Sequence, residues 1–590
     1  MEFMQRCLKS KGNGIVEKRI KIFRLLMKSI LRICPLYFGM TIIVGSIHSL
    51  LTVGNVIVLQ IFLDSILSKN DMKSNILLAI IVGIAMILTT IFNGMHNNMF
   101  EVLSKKVSGK LRYDFQKKVS KIEPIHFESS KFLDQLKMAG EGIDAAANLI
   151  IMVTFFLTFY LLYFIVLACY FYNLYPGLLW GFVFILVPVF LSQFIKSKFY
   201  EKYLDKTMNL NRRYKYYFNC IADKKYFKET RVLNAAEFFF PKFIKDINKA
   251  TGEMWESQKK MALAEMILKG IAICGYGIVF LLLIFSLSEE HITVGVCSTI
   301  FIAIRQIYEL LNELFGRQIG MIIQNFANIK FYLEIMNIEE SVQENLKVGD
   351  DTIIRLEDIN FSYPNMSELV IKNLSVSIGV GKVLAIVGYN GSGKSTLAKI
   401  LCGMYKPQTG KIYGGKAEKH LISAVFQNFA QYKLSVKENV LISDFHNEEN
   451  VKKELDEVAF DYLILENGIE SLVGREFGGT ELSGGQWQRL AIARGIHKEY
   501  DFIILDEPNS AIDPFEEEKL YERFAEIVKG KSAVLITRRL NSVKIADEII
   551  VMEKGKIVEK GTHEELMNNN GKYRKMYEAQ KKWYIQEVEN

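Results

Sequence analysis

Gly388-Tyr389-Asn390-Gly391-Ser392-Gly393-Lys394-Ser395 fits the pattern G-x-x-x-x-G-K-[ST] at every fixed position. The apolar run Val383-Leu384-Ala385-Ile386-Val387 precedes it, as a buried strand would. Thr396-Leu397-Ala398-Lys399-Ile400-Leu401 follows it with helical character. Glycines let the backbone turn tightly enough for successive N–H groups to point at one anion. The helix start adds a field that favours negative charge. In this pattern Lys394 reaches the β/γ-phosphates and Ser395 holds Mg²⁺. The stretch therefore predicts a strand–loop–helix unit that binds a phosphate chain.

At 590 residues the chain is longer than one ordinary domain, and its two halves differ in character. Apolar residues make up 50% and charged residues 23%, but the long apolar runs all lie in the first half. The net charge of +8 is not a nucleic-acid signature, because the Lys and Arg of the first half sit between apolar runs. The seven cysteines are scattered with no C-x-x-C pair, and the eight histidines form no ligand cluster. Neither a disulfide framework nor a zinc site is expected.

A spanning helix needs about 20 mostly apolar residues. Six runs qualify: 36–67, 76–99, 145–172, 178–195, 261–287 and 294–315. The first is far too long for the core of a cleaved signal peptide. Basic residues crowd the stretch after the second run (Lys105, Lys106, Lys110, Arg112, Lys117, Lys118, Lys121) and the stretch between the fourth and fifth runs. The connections at 173–176 and 288–291 carry no Lys or Arg. The asymmetry places both termini and both long loops in the cytoplasm. Those loops are too long for turns and read as helices that continue beyond the bilayer. Each carries one break, at Glu123-Pro124-Ile125-His126-Phe127-Glu128 and near 223–229, fitting a transverse segment or a plain corner equally. The stretch 18–32 puts Lys18, Lys21, Arg24, Lys28 and Arg32 on one helical face, which suits a helix lying in the headgroup layer or an ordinary surface helix. Arg305, Glu309, Asn312 and Gly316 share a face of the sixth span. They point either to pairing between helices or to contact with a cargo.

A charged connector precedes the soluble part, which opens near Thr352 with an alternating run that reads as an edge strand. Leu482-Ser483-Gly484-Gly485-Gln486 opens a helical stretch. Phe502-Ile503-Ile504-Leu505-Asp506-Glu507 is an apolar strand ending in two acids, and Ser510-Ala511-Ile512-Asp513 follows. Together with the phosphate loop, in this order and spacing, these motifs closely resemble the ATP-binding cassette family. The six preceding spans match its exporter half-transporters, so the resemblance covers nearly the whole chain. It implies a polytopic α-helical membrane domain fused to an α/β P-loop ATP-binding cassette domain. The expected divisions are 1–34 for a cytoplasmic N-terminus and amphipathic helix, 35–326 for the membrane domain, 327–350 for a connector and 351–590 for the cassette.

The resemblance assigns roles by matched position. Tyr363 would stack on adenine. Asn390, Gly391, Ser392, Gly393, Lys394, Ser395 and Thr396 would hold the phosphates of ATP. Ser395, Gln427 and Asp506 would hold Mg²⁺, and Glu507 would polarise the attacking water. Ser483, Gly485 and Gln486 would meet nucleotide bound to the opposite subunit, and Asp513 would bridge the two cassettes. One chain carries one cassette, so a second half-transporter, identical or related, is required as partner. The two loop breaks match the segments that dock on the cassettes.

One position departs from the family. Where a histidine is usual the sequence has Arg538, in Leu535-Ile536-Thr537-Arg538-Arg539-Leu540. A guanidinium is longer, forked and permanently charged. It can touch a phosphate, or it can pair with Glu507 and blunt it as a base. Weakened hydrolysis with ATP binding kept is the expectation. The resemblance implies ATP-driven export of an amphipathic cargo across the cell membrane by alternating access, with no nucleic acid involved. The long basic loop containing His126-Phe127-Glu128-Ser129-Ser130-Lys131-Phe132-Leu133-Asp134 looks similar to bacterial peptide and lantibiotic exporters, while drugs and lipids stay open as cargo. No Cys-His peptidase domain precedes the first span, so leader cleavage is not expected. The alternative is a non-hydrolysing, ATP-binding partner subunit.

Overall fold

The computed structural model describes residues 34–68, 71–289, 291–311, 313–314, 320–340, 351–364, 366–414, 422–507, 523–538 and 542–588. The stretch 18–32, Asn312, Gly316 and Asp513 lie outside them. The chain divides into two compact units: residues 1–120 with 134–338, and residues 121–133 with 339–590.

The first unit is helical: α1 (Pro35–Leu67), α2 (Met72–Val119), α3 (Ser130–Phe155), a π-helical turn (Phe156–Tyr160), α4 (Leu161–Leu174), α5 (Leu178–Ala222), α6 (Phe227–Val232), α7 (Ala236–Ser288), α8 (Val294–Leu311) and α9 (Gly320–Met336). Among the described residues, α1, α2, α3 with α4, α7 and α8 are long and apolar enough to cross a membrane. The run 178–195 opens α5. At 1.5 Å per residue the 53-residue α7 is about 80 Å long, against a hydrocarbon layer of about 30 Å. The long basic loops are thus helical extensions. The second loop break ends in the short helix α6, and the first is a 3-10 turn at Pro124–Glu128.

Val53, Tyr163, Leu167, Val279, Leu283, Ile300, Ala303 and Ile307, from α1, α4, α7 and α8, form one buried apolar cluster. Their i, i+3/i+4 spacing on α8 leaves the opposite face of that helix exposed. On that face Arg305 pairs with Glu309 of the same helix at 3.2 Å, their side chains 81% and 63% exposed. Among the described residues, these two therefore do not make the pairing between helices that the sequence left open. Glu265 does pair across helices, with Lys196 at 2.6 Å, as well as with Lys269 at 2.9 Å. Deeper in the unit His48 and His96 are buried, stacked on Phe159 and Phe155 respectively, with ring centres 4.5 Å apart in both cases. Neither ring nitrogen of His96 has a hydrogen-bond partner among the described residues.

The second unit holds two sheets. The smaller has order β2-β1-β4, from β1 (Thr352–Phe361), β2 (Ile371–Gly379) and β4 (Thr409–Gly414), all antiparallel. The run predicted as an edge strand is thus the middle strand. Alternation reports that one face is buried, and a central antiparallel strand with one face open alternates as an edge strand does. The larger sheet has order β5-β6-β7-β3-β8-β9, from β3 (Val383–Val387), β5 (Ile422–Val425), β6 (Phe502–Asp506), β7 (Ser532–Ile536), β8 (Glu548–Glu553) and β9 (Lys556–Gly561). Only β9 pairs antiparallel in it. Strands β3, β6 and β7 are buried at every residue, the unbroken apolar runs expected of a parallel sheet covered on both faces. Among the described residues, the α-helices of this unit are α10 (Lys394–Leu401), α11 (Val436–Leu441), α12 (Val451–Glu457), α13 (Gly484–His497), α14 (His563–Asn568) and α15 (Lys572–Val588).

Candidate functional site

The strand order brings together motifs that the chain keeps far apart. β5, β6, β7 and β3 are parallel neighbours, so their carboxyl ends share one rim. Gln427 follows β5, Asp506 and Glu507 end β6, Arg538 follows β7, and the phosphate loop follows β3. A ligand cleft at the carboxyl rim is the usual outcome of such topology.

The loop keeps the backbone that its glycines require. Gly388, Gly391 and Gly393 have φ of 153°, 76° and 102°. A Cβ on Gly388 would lie 2.3 Å from the Met552 carbonyl oxygen and 3.0 Å from Ser392 Oγ, so no larger residue fits there. Gly393 caps α10. Asn390 and Gly391 are exposed at the crest of the loop, whereas Ser392, Lys394 and Thr396 are buried. Lys394 Nζ donates to the carbonyls of Gly388 (2.8 Å) and Tyr389 (3.1 Å). Burial holds this ammonium below the usual lysine range, partly offset by the nearby Glu507. Tyr363 sits beside the loop, its hydroxyl 3.0 Å from Thr396 Oγ1.

The two acids at the end of β6 differ in their surroundings. Burial pushes the Asp506 carboxyl above its usual range, against a hydrogen bond from Ser395. Asp506 Oδ1 has no partner among the described residues, nor has Ser392 Oγ. Glu507 has φ of 47°, an uncommon conformation for a residue with a side chain. The surroundings hold it there. Its N–H donates to the Ile536 carbonyl at 2.8 Å, and Gln488 Nε2 donates to its carbonyl at 3.4 Å. Both carboxylate oxygens are engaged: Gln427 Nε2 donates to Oε2 at 2.7 Å, and Arg538 Nε donates to Oε1. The pairing of Arg538 with Glu507, one of the two courses left open by the sequence, is the one seen. Gln488, on α13, supports the backbone of Glu507 but gave no signal in the sequence.

Ser483, Gly485 and Gln486 are not part of this cluster. Ser483 caps α13: its Oγ accepts from Gln486 N–H at 3.2 Å, and Gln486 Oε1 accepts from Ser483 N–H at 2.8 Å. No hydrogen bond among the described residues joins the three to the phosphate loop. Ser483 and Gly484 are exposed, while Gly485 and Gln486 are half-buried.

Comparison with known proteins bears on these motifs. Residues 371–510 match the family model described as ABC transporter. The subtilin transport ATP-binding protein of Bacillus subtilis is 29% identical over 511 residues, 82% of this chain and 81% of that one. An ABC transporter domain is thus present in the chain, at residues 371–510. Other relatives align with the chain over a smaller part. The nisin transport ATP-binding protein of Lactococcus lactis is 35% identical over 41% of this chain and 42% of its own. The ATP-dependent lipid A-core flippase of Pectobacterium atrosepticum is 33% identical over 38% and 41%. In fold the transporter is similar to a bacterial Atm1-family ABC exporter solved with ATP bound, with a TM-score of 0.77 at 17% identity over 92% of this chain and 99% of that one. It is a multi-pass membrane protein of exporter fold, and its cassette is an ATPase domain coupled to transport.

Proposed function

We propose that this transporter is one half of a dimeric exporter that moves an amphipathic cargo, in first place a peptide, out across the cell membrane. The observation that carries the proposal is the separation of two half-sites. The phosphate loop, Asp506, Glu507 and Gln427 lie on one rim, while Ser483 is exposed and no hydrogen bond among the described residues joins its turn to the phosphate loop. A second cassette supplying its own Ser483 turn completes each site. The peptide reading of the cargo is favoured by the subtilin and nisin transport relatives over the lipid A flippases, because the subtilin relative aligns over 81% of its length. The comparisons give no support to a non-hydrolysing partner subunit. The divisions 1–34, 35–326, 327–350 and 351–590 are kept as the domain proposal.

In this reading Tyr363 stacks on adenine, and the backbone of Asn390, Gly391, Ser392 and Gly393 with Lys394 and Thr396 holds the phosphates. Buried Ser392 Oγ and Asp506 Oδ1, both lacking a partner among the described residues, fit a phosphate–cation pair. Ser395, Gln427 and Asp506 are hard oxygen donors of the kind Mg²⁺ takes. The cation, when bound, supplies charge neutralisation to the phosphates. Glu507 orients a water in line with the terminal phosphate and takes its proton. It can do so only after Oε1 leaves Arg538 or shares it, so the present pairing is a brake on hydrolysis.

The test is uptake into inside-out vesicles carrying the transporter, driven by ATP and screened with peptides, dyes and lipids. ATP-dependent accumulation of a peptide, absent in Lys394→Ala, is the expected result. Accumulation of lipid or dye but no peptide overturns the cargo reading. For the dimer, Lys394→Ala and Ser483→Arg chains are mixed. Partial recovery of ATPase activity over either alone is expected, because one composite site is then intact; no recovery refutes the shared site.

A further inference from the structure

Arg538 is held from two sides. On the strand side the buried Thr537 donates its N–H to the Ile386 carbonyl at 3.3 Å. On the other side the Arg538 carbonyl accepts from Gln580 Nε2. Gln580 lies on α15, 42 residues further along the chain and outside every motif of the nucleotide site. A peptide group is planar, so fixing this carbonyl fixes the direction in which the chain turns after Arg538.

The helix that carries Gln580 is anchored. Tyr573, Met576 and Gln580 share one face of α15 by their spacing. Tyr573 and Met576 are buried in one apolar cluster with Val387 of β3, Val551 of β8 and Val543. Val543 follows Arg538 closely in the chain, so α15 meets the same segment twice, once by burial and once through Gln580. At the start of α15, Glu559 accepts from the N–H of Lys572 at 2.5 Å and of Tyr573 at 3.0 Å, and Lys572 Nζ pairs with Glu553.

We propose that Gln580 is a positioning residue for hydrolysis: by pinning the Arg538 carbonyl it keeps the guanidinium on Glu507, and α15 sets how firmly that pair holds. Gln580 touches none of the reacting atoms and acts only through Arg538. The inference rests on the reading of the Arg538–Glu507 pair as a brake. With the carbonyl pinned, the Cα–Cβ bond of Arg538 keeps its aim, and the guanidinium needs only side-chain rotation to find Glu507 Oε1. With the pin removed, the backbone at Arg538 gains conformational freedom that pairing must then overcome. The pair is made for a smaller share of the time, and Glu507 is open to a water more often.

The test uses the full chain in lipid nanodiscs and steady-state ATPase activity. Gln580→Met keeps the length and the helix propensity and removes the donor; Gln580→Lys keeps a donor at similar reach. Gln580→Met is expected to raise kcat about 2- to 5-fold, as for one neutral hydrogen bond lost at a partly exposed site, with the KM for ATP within about twofold. Gln580→Lys is expected to stay near the parent. In an Arg538→Ala background Gln580→Met is expected to add nothing, because no guanidinium remains to position. A merely loosened α15 acts in both backgrounds, so an equal rise in Arg538→Ala overturns the proposal. A rise in Gln580→Lys as large as in Gln580→Met overturns it as well. So does an unchanged or lower kcat in Gln580→Met where Arg538→His raises it, and that result leaves the brake standing. No rise in either Gln580→Met or Arg538→His overturns both readings.

Discussion

Replacing Arg538 with histidine is expected to speed ATP hydrolysis. In the structure Glu507 spends one oxygen on Gln427 and the other on Arg538, so no lone pair is left well placed for a water proton. A hydrogen bond between charged groups contributes about 1.5–3 kcal/mol. The Arg538 side chain is 48% exposed and that of Glu507 10%, so solvent screening lowers this to about 1–2 kcal/mol. With about 1.4 kcal/mol for each factor of ten in rate, freeing Glu507 raises kcat about 5- to 30-fold. Phosphate-loop contacts are untouched, so the KM for ATP stays within about twofold. The assay is steady-state ATPase activity of the purified transporter in nanodiscs, parent against Arg538→His and Arg538→Ala. Both variants are expected to rise, the histidine variant more, since a shorter and neutral side chain still reaches the site. Equal rates in parent and Arg538→His refute the reasoning. So does a fall in Arg538→Ala, which would make the guanidinium an aid to hydrolysis.

Glu507→Gln is expected to lower kcat about 100-fold or more while ATP binding persists, measured by ATPase activity beside nucleotide-binding titration. Gly45→Ala is expected to destabilise the helical unit by about 1–3 kcal/mol, because the new Cβ would lie 2.7 Å from His96 Nε2 and 2.9 Å from Thr158 Oγ1; a thermal unfolding midpoint in detergent unchanged from the parent would count against it. The packing of α14 on α15 is expected to weaken as pH falls. Burial, then nearby Lys544, holds His563 below its ordinary 6.5, and its Nδ1 lies 2.7 Å from the Tyr573 hydroxyl. A group held below its unfolded value contributes stability that is complete above about 6.5 and is lost as pH falls through the lowered folded value. Cassette stability measured from pH 7.5 down should therefore slope less in His563→Gln than in the parent.

Much of this architecture is legible in the residues alone. Apolar runs of membrane length, and basic loops between them, mark five of the six expected spans among the described residues, because lipid forbids unpaired backbone and charge. The phosphate loop and the Asp506-Glu507 strand end carry their chemistry in short local patterns, so their identity needed no fold. What a local pattern does not contain is which strands become neighbours. β1 alternates like an edge strand yet is central, since alternation records a buried face and not a position in the sheet. Arg538 had two open courses until the pairing of β6 with β7 set its guanidinium against Glu507. Gln488 lies outside every motif read from the sequence, and only the packing of α13 brings its amide to the Glu507 carbonyl. The sequence by itself thus determined the chemistry and the solvent of each half, through local spacing and hydrophobicity. The tertiary structure alone decided which oxygen meets which nitrogen, because those contacts depend on strand order and on where close-packed side chains have room.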